Sequence, residues 1–237
     1  MFGLSNPNRF QKISDKIYPW ITYASLILIS LGLYFSFFQS PPDYLQGESV
    51  RIMYIHVPSA WLSMMIYSSM AVCSFISIVF RHTLADIIAR SSALIGATFT
   101  LITLITGSIW GKPTWGTWWV WDARLTSFLI LLFIYLGLIF LEKSFKYSNQ
   151  GNNSFAYLAI IGGINIPIIK FSVDWWNTLH QGPSVMKFSS PSIANEMLYP
   201  LIYTAIGFTS YLLAAILLSS RNELLDREKN TKWIRSI

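Results

Sequence analysis

Six long apolar segments are the feature that most constrains the fold of this 237-residue chain. They cover residues 20–38, 59–80, 91–110, 125–141, 154–173 and 197–220, and nearly all of them lack charged residues. A helix of about 20 apolar residues is long enough to cross a lipid bilayer. Charged residues make up only 12% of the chain, well below the share typical of soluble proteins. The sequence therefore predicts an all-α, polytopic membrane protein with six transmembrane helices in one domain, residues 1–237.

Two of these segments have features of their own. The first is about twice as long as the apolar region of a signal peptide, and no small-residue cleavage site follows it, so we expect it to be retained. The fifth contains Asn165, Pro167 and Lys170 and is predicted to be kinked near its outer end.

The distribution of basic residues predicts the orientation, because short basic loops stay on the cytoplasmic side. Twelve of the 17 lysines and arginines flank the ends of the segments that share a side with the termini. The other five are Arg51, Lys112, Arg124, Lys170 and Lys187. Both termini are therefore predicted to be cytoplasmic, with outer loops at about 39–58, 111–124 and 174–196. The net charge of +6 is spread over loop ends, so no nucleic-acid partner is expected.

Five tryptophans within twelve residues mark the second outer loop, residues 111–124. They are Trp110, Trp115, Trp118, Trp119 and Trp121. If the stretch after Pro113 is helical, then Trp115, Trp118, Trp119 and Asp122 share one face and form a flat aromatic surface. An aromatic belt at the membrane interface is the alternative, but it explains only about two of the five rings.

Two charged residues end the tryptophan-rich loop. Asp122 is in a position to cap the fourth helix through a backbone N–H. Arg124 lies in the first turn of that helix, against the positive end of the helix dipole. An anionic partner, either a lipid headgroup or a ligand carboxylate, would relieve this repulsion.

The three histidines divide into a pair and one other. His82 follows the second segment on the inner side and is interpreted as an interfacial residue. His56 and His180 both fall in predicted outer loops, each shortly before a proline, and are expected to be non-helical. Either one alone is most simply a polar surface residue. As a pair beside an aromatic surface, they suit the two axial imidazoles of a haem iron.

A haem in this chain would be bound without a covalent link, as haem b, because the chain has no C-x-x-C-H motif. Its propionates would need donors, and Arg51, Lys112, Arg124 or an indole N–H can supply them. The first outer loop offers further candidate contacts to propionates or to a protein partner, although each is also readable as a solvated loop residue. These candidates are Asp43, Gln46, Glu48 and Arg51.

The string W-x-W-D-A-R-L-T at 119–126, with one histidine before the second segment and one before the sixth, resembles the cytochrome c maturation protein C (CcmC) family. This family handles haem through an outer "WWD" domain, and the resemblance covers nearly the whole chain. The larger haem lyases CcmF and CcsA are similar around the same string but have more spans. They also commonly carry proline where this chain has Ala123.

The resemblance implies a cofactor-delivery protein, and not an enzyme, in a bacterial inner membrane or its mitochondrial counterpart. Such proteins present haem on the outer face and promote its attachment to the haem chaperone CcmE. They work with the ABC transporter subunits CcmA and CcmB and the small membrane protein CcmD. By the same resemblance His56 and His180 are the axial ligands, and the haem platform is formed by Trp110, Trp115, Trp119, Trp121 and Asp122.

Two other functions remain open on the residues alone. A b-type membrane redox protein also ligates haem with two histidines, but it is expected to place them within its spans. A small-solute transporter would use the tryptophans only as a gate or belt, and it usually has polar groups near the bilayer midplane. Apart from Asn165, these segments offer few such groups.

Overall fold

A computed structural model describes residues 6–145, 151–180, 182, 185 and 192–229. Six helical spans in it are long and apolar enough to cross a membrane, and the described residues form no β-sheet. The prediction of an all-α protein with six spanning helices is confirmed. The helices are α1 (Pro7–Tyr34), α2 (Met53–Phe80), α3 (Thr83–Trp115), α4 (Ala123–Phe145), α5 (Gly151–Gly162), α6 (Asn165–Trp175) and α7 (Asn195–Glu228). A π-helical turn, Phe35–Gln39, continues α1, and a 3₁₀ turn, Glu48–Ile52, leads into α2.

The helices extend beyond the apolar segments, because hydropathy detects only the part of a helix that matches the hydrocarbon layer. The first helix begins at Pro7, well before the apolar stretch. The side chain of Asn6 caps it by accepting hydrogen bonds from the backbone N–H groups of Asn8 and Arg9. The loops are correspondingly shorter than predicted.

His56 is not in a loop, and the expectation of a non-helical position for it was wrong. The residue lies in the first turns of α2, and the helix continues through Pro58. Proline removes one backbone N–H and disfavours a helical residue before it, which is why the sequence indicated a loop. Membrane helices tolerate proline because neighbouring packing satisfies the freed groups.

The fifth span is interrupted near its middle, whereas the sequence predicted a kink near its outer end. Residues 163 and 164 separate α5 from α6. Pro167 cannot donate to the carbonyl of Gly163, which accepts instead from the N–H of Ile166 at 3.1 Å. The Asn165 side chain donates to the carbonyl of Ser127 in α4 at 2.9 Å and so fastens α6 to its neighbour.

The three predicted outer loops meet at one end of the bundle. Trp110, near the end of α3, donates its indole N–H to Gln46 in the first loop at 2.8 Å. Asp122 in the second loop lies 3.0 Å from His180 in the third. At the opposite end, the buried Asp86 of α3 accepts from Arg227 of α7 at 2.8 Å. Buried charges require such partners.

Close backbone contact joins α1 to α7. A Cβ added at Gly207 would lie 2.8 Å from the backbone nitrogen of Ile29, and one added at Gly32 would lie 2.8 Å from that of Thr204. Small residues allow membrane helices to approach this closely, where van der Waals packing supplies the attraction.

We expect Gly207→Ala to destabilise the protein by about 1–3 kcal/mol, because the backbone of α1 cannot yield to the added methyl group. Gly137→Ala is the matched control, since its Cβ would meet only the flexible end of Leu158 at 3.5 Å. Thermal unfolding in detergent measures both variants. Equal stability of the two would contradict the close packing of α1 on α7.

Candidate functional site

One pocket at the end of the bundle where the three loops meet contains both histidines of the predicted pair. Its polar and aromatic lining includes His56, His180, Trp115, Trp119 and Arg124. The apolar part of the lining includes Leu104, Leu125 and Phe128. Residues from α2, α3, α4 and the third loop therefore converge on a single space.

His56 is held by α3. Its Nδ1 lies 3.1 Å from the hydroxyl oxygen of Thr106. That hydroxyl donates to the carbonyl of Ile102 at 2.6 Å, so it accepts from His56, and the ring proton is on Nδ1. The ring lies directly against Gly107, where an added Cβ would be 2.9 Å from its Cε1. Trp110, one turn further along α3, contacts the ring edge-on, with ring centroids 5.6 Å apart.

His180 is held by the tryptophan-rich loop. Its Nδ1 lies 3.0 Å from Oδ2 of Asp122, and Thr178 donates its hydroxyl to the same carboxylate oxygen. The ring meets Trp115 edge-on, with centroids 4.7 Å apart. Unlike His56, His180 is non-helical, as predicted.

The charge states of the His180–Asp122 pair follow from their surroundings. Burial lowers the pKa of His180 below its ordinary value, and Arg124 acts in the same direction against the opposing effect of Asp122. Burial alone would raise the pKa of Asp122. Hydrogen bonds from Thr178, the Leu125 N–H and His180 outweigh it, so the pKa of the carboxyl lies below its usual range. Near pH 7 the pair is a neutral imidazole beside a carboxylate.

Asp122 also caps α4, as the sequence predicts. Its Oδ1 accepts the backbone N–H of Leu125 at 2.8 Å, and its own carbonyl accepts from Thr126 at 3.1 Å. The two carboxylate oxygens therefore serve different partners. One fixes the start of α4 and the other contacts His180.

The predicted flat surface of helical tryptophans is wrong. The helix ends at Gly116, whose left-handed backbone (φ 78°) turns the chain away, so Trp118 and Trp119 do not continue the face of Trp115. Trp115 and Trp119 still line the pocket, on different backbone segments. Trp118 and Trp121 point outward, with 56% and 76% of their surface exposed.

The indole N–H of Trp119 is buried and has no hydrogen-bond partner within the described part of the chain. A buried donor without a partner is costly, and at a ligand pocket it is a place where an acceptor on the ligand can bind.

The predicted cations are divided between the pocket and the surface. Arg124 lines the pocket, and its Nε donates to the hydroxyl of Ser172 in α6 at 3.2 Å. Lys112 is exposed and donates to the carbonyl of Gly116 at 3.0 Å. Arg51 donates to the carbonyl of Ser36 at 2.8 Å and does not line the pocket.

Two other candidates of the first loop have local roles. Oδ1 of Asp43 accepts the backbone N–H groups of Leu45 and Gln46, which closes a turn. The Gln46 side chain accepts the indole N–H of Trp110, and Trp110 in turn packs against His56.

Sequence reasoning missed the residues that hold the two histidines. Thr106, Gly107 and Thr178 carry no motif, and their roles depend on which helices and loops pack together. The only signal in the sequence is the position of Thr178, two residues before His180.

Together these features define a membrane protein of six spans with an aromatic-walled, two-histidine pocket at one end of its bundle. The chain belongs to the heme exporter protein C (CcmC) family, whose family model matches residues 1–235. The heme exporter protein C of Bradyrhizobium diazoefficiens is 48% identical over 96% of this chain and 86% of its own length. That of Escherichia coli K12 is 44% identical over 99% of this chain and 94% of its own length. A ccmC-like mitochondrial protein of cytochrome c biosynthesis from Marchantia polymorpha is 48% identical over 76% of each chain.

The electrostatics of the pocket give a test that needs no ligand. We expect Arg124→Gln to raise the pKa of His180, because the guanidinium disfavours the charged imidazole. The titration is measured by NMR with ¹⁵N-labelled histidine. Lys112→Gln removes a cation in the last turn of α3 that does not line the pocket, and it should leave the titration unchanged. A larger shift in the Lys112 variant would contradict the described geometry.

Proposed function

We propose that the protein binds haem in the pocket between His56 and His180 and delivers it for cytochrome c biogenesis. The proposal rests on one observation, which is that the two imidazole rings are hydrogen-bonded in the same way. Each imidazole has Nδ1 engaged in a hydrogen bond, which leaves the Nε2 lone pair of the neutral ring for a metal. Histidine ligands of metals are commonly oriented in this way.

The donor set fits haem better than a free metal ion. Within the described residues no group of three or more histidine, cysteine or acidic side chains is placed to hold a metal. Two imidazoles suffice for haem, because the macrocycle supplies the other iron ligands. Arg124 and the unpaired indole N–H of Trp119 are suited to the propionates. Trp115 and the apolar lining are suited to the ring.

The pocket must open to admit a macrocycle. The cavity has a volume of about 40 Å³, which is room for only a few water molecules. His56 belongs to a long helix, whereas His180 belongs to a non-helical segment. We therefore propose that the pocket opens by movement of His180 and not of His56.

Delivery, and not storage or electron transfer, is the role supported by the names of the relatives. Several are called heme exporter protein C, and one is named for cytochrome c biosynthesis. An axial bond to imidazole exchanges without breaking a covalent link, which suits transfer. We propose the haem chaperone CcmE as acceptor, the ABC transporter subunits CcmA and CcmB with CcmD as partners, and no enzymatic role beyond promoting attachment.

The proposed location is the bacterial inner membrane, with the pocket on the outer face. The asymmetric distribution of lysine and arginine supports this orientation. A chain of this family in an organelle would lie in the mitochondrial inner membrane.

Single-cysteine labelling tests the orientation. In a Cys73→Ser background, Thr114→Cys places a thiol on the exposed last turn of α3, next to Trp115 of the pocket, and Lys12→Cys places one on the exposed surface near the start of α1. We expect a membrane-impermeant maleimide to label Thr114→Cys in intact spheroplasts and Lys12→Cys only after permeabilisation. The reverse pattern would overturn the proposed topology.

Absorption spectra of the purified protein, oxidised and reduced, test haem binding. We expect a low-spin, bis-imidazole spectrum that His56→Ala and His180→Ala each perturb. The third histidine gives the matched control. His82 caps α3 by accepting the N–H of Ala85, and His82→Asn preserves a cap while leaving the spectrum unchanged. A wild-type protein that binds no haem after reconstitution would sink the proposal.

One observation favours the alternative of a b-type redox protein. His56 lies in a spanning helix, where such proteins are expected to place their haem ligands. Haem transfer separates the two functions. Incubation of the haem-loaded protein with CcmE should move haem to the chaperone, whereas a redox protein would retain it and exchange electrons with a quinone.

A further inference from the structure

We propose that Asp122 is a positioning residue that acts through His180, holding the imidazole in the tautomer whose Nε2 lone pair is available to the ligand, with Thr178 fixing the carboxylate. This inference rests on the proposed haem function but reassigns Asp122. The residue serves the histidine and not the haem surface.

The direction of the hydrogen bond follows from the chemistry of the partners. An ionised carboxylate only accepts, so the proton between Asp122 and His180 is on Nδ1. A neutral imidazole with its proton on Nδ1 has its lone pair on Nε2. Thr178 donates to the same Oδ2, and its hydroxyl oxygen accepts the backbone N–H of His180 at 3.1 Å. Threonine thus orients both the carboxylate and the backbone of the histidine.

Asp122 itself has little freedom to move. Only 8% of its surface is exposed, and its other oxygen accepts the N–H of Leu125 at the start of α4. The carboxylate plane is therefore fixed by a helix terminus on one side and by Thr178 on the other. The helix cap accounts for the contact of Oδ1 with Leu125, but it does not account for the contact of Oδ2 with His180.

The two histidines are consequently unequal as ligands. His56 donates to a neutral hydroxyl, that of Thr106, whereas His180 donates to a carboxylate. A carboxylate partner makes the imidazole a stronger electron donor than a hydroxyl does. We therefore assign His180 as the ligand that favours ferric over ferrous iron.

Asp122→Asn gives a specific test. Asparagine can still accept the Leu125 N–H through its one side-chain oxygen, but it has no second oxygen to accept from His180. Its Oδ1 keeps the Leu125 N–H, so its amide N–H₂ faces His180, whose Nδ1 must then accept. The proton moves to Nε2, and that nitrogen can no longer bind iron. Histidine ¹⁵N NMR of the haem-free protein reads the tautomer directly, since the chain has only three histidines.

We expect the proton of His180 on Nδ1 in the wild type and on Nε2 in Asp122→Asn. Asp43→Asn is the matched control, because Asp43 also accepts backbone N–H groups through Oδ1 but makes no hydrogen bond to a histidine in the described residues. It should leave all three histidines unchanged. A wild-type His180 protonated on Nε2 would overturn the inference without reference to any variant.

Haem affinity supplies the second readout. Asp122→Asn should weaken ferric haem binding about 10- to 100-fold, the usual effect of losing a partner of a metal ligand. It should weaken ferrous binding less. If the loss of affinity is tenfold larger for ferric than for ferrous haem, the midpoint potential rises by about 59 mV. In a His180→Ala background the same substitution should have no further effect. An equal loss in both backgrounds would overturn the role through His180.

The two proposals fail differently. A wild type that binds no haem but carries the Nδ1 proton on His180 would overturn the haem function and support the positioning by Asp122. Haem binding that Asp122→Asn does not weaken would overturn the positioning and leave the haem function standing. If Asp122→Asn does not fold, Thr178→Val keeps both the cap and the carboxylate. It should weaken ferric haem binding less than His180→Ala does, and unchanged binding in it would count against the arrangement.

Discussion

Every backbone amide that crosses the apolar layer of a bilayer must find its hydrogen-bond partner within its own helix. Five of the six spans meet this requirement with unbroken helical backbone, and the break in the fifth, at residues 163 and 164, is bridged by hydrogen bonds between residues three apart. A site that needs side chains from non-helical segments can therefore form only where loops gather. In this protein the three loops on one side meet over α2, α3 and α4, and the pocket lies at that meeting point.

The histidines reach the pocket by different routes. His56 projects from a helix whose position is fixed by packing on α3, where Gly107 gives the ring its space. His180 depends on contacts between two loops, chiefly those made by Asp122 and Thr178. In the proposed haem site, the wall with His56 is therefore the helical one, and the wall with His180 is the one proposed to open.

Much of this architecture can be predicted from the sequence. The apolar length specifies the six spans, and the interruption of the fifth span just before α6 follows from the missing N–H of Pro167. The pairing of the two histidines and the cap by Asp122 were also predictable from residue type and position. The helical position of His56 was not, because Pro58 indicates a turn and only tertiary packing overrides it. Nor was the turn at Gly116, which splits the tryptophans between the pocket and the surface. Contacts such as Thr106 with His56 depend on helix register, which hydropathy does not encode.

The interrupted fifth span has a mechanical consequence. At residues 163 and 164 the chain passes from α5 to α6 through hydrogen bonds between residues three apart, such as the N–H of Gly163 to the carbonyl of Ile160 at 3.1 Å. Helix α6 is therefore a separate rigid segment, joined to α4 by the side chains of Asn165 and Ser172. His180 follows five residues after its end. A tilt of α6 about this break would displace His180 and leave the hydrogen bonds within α5 intact.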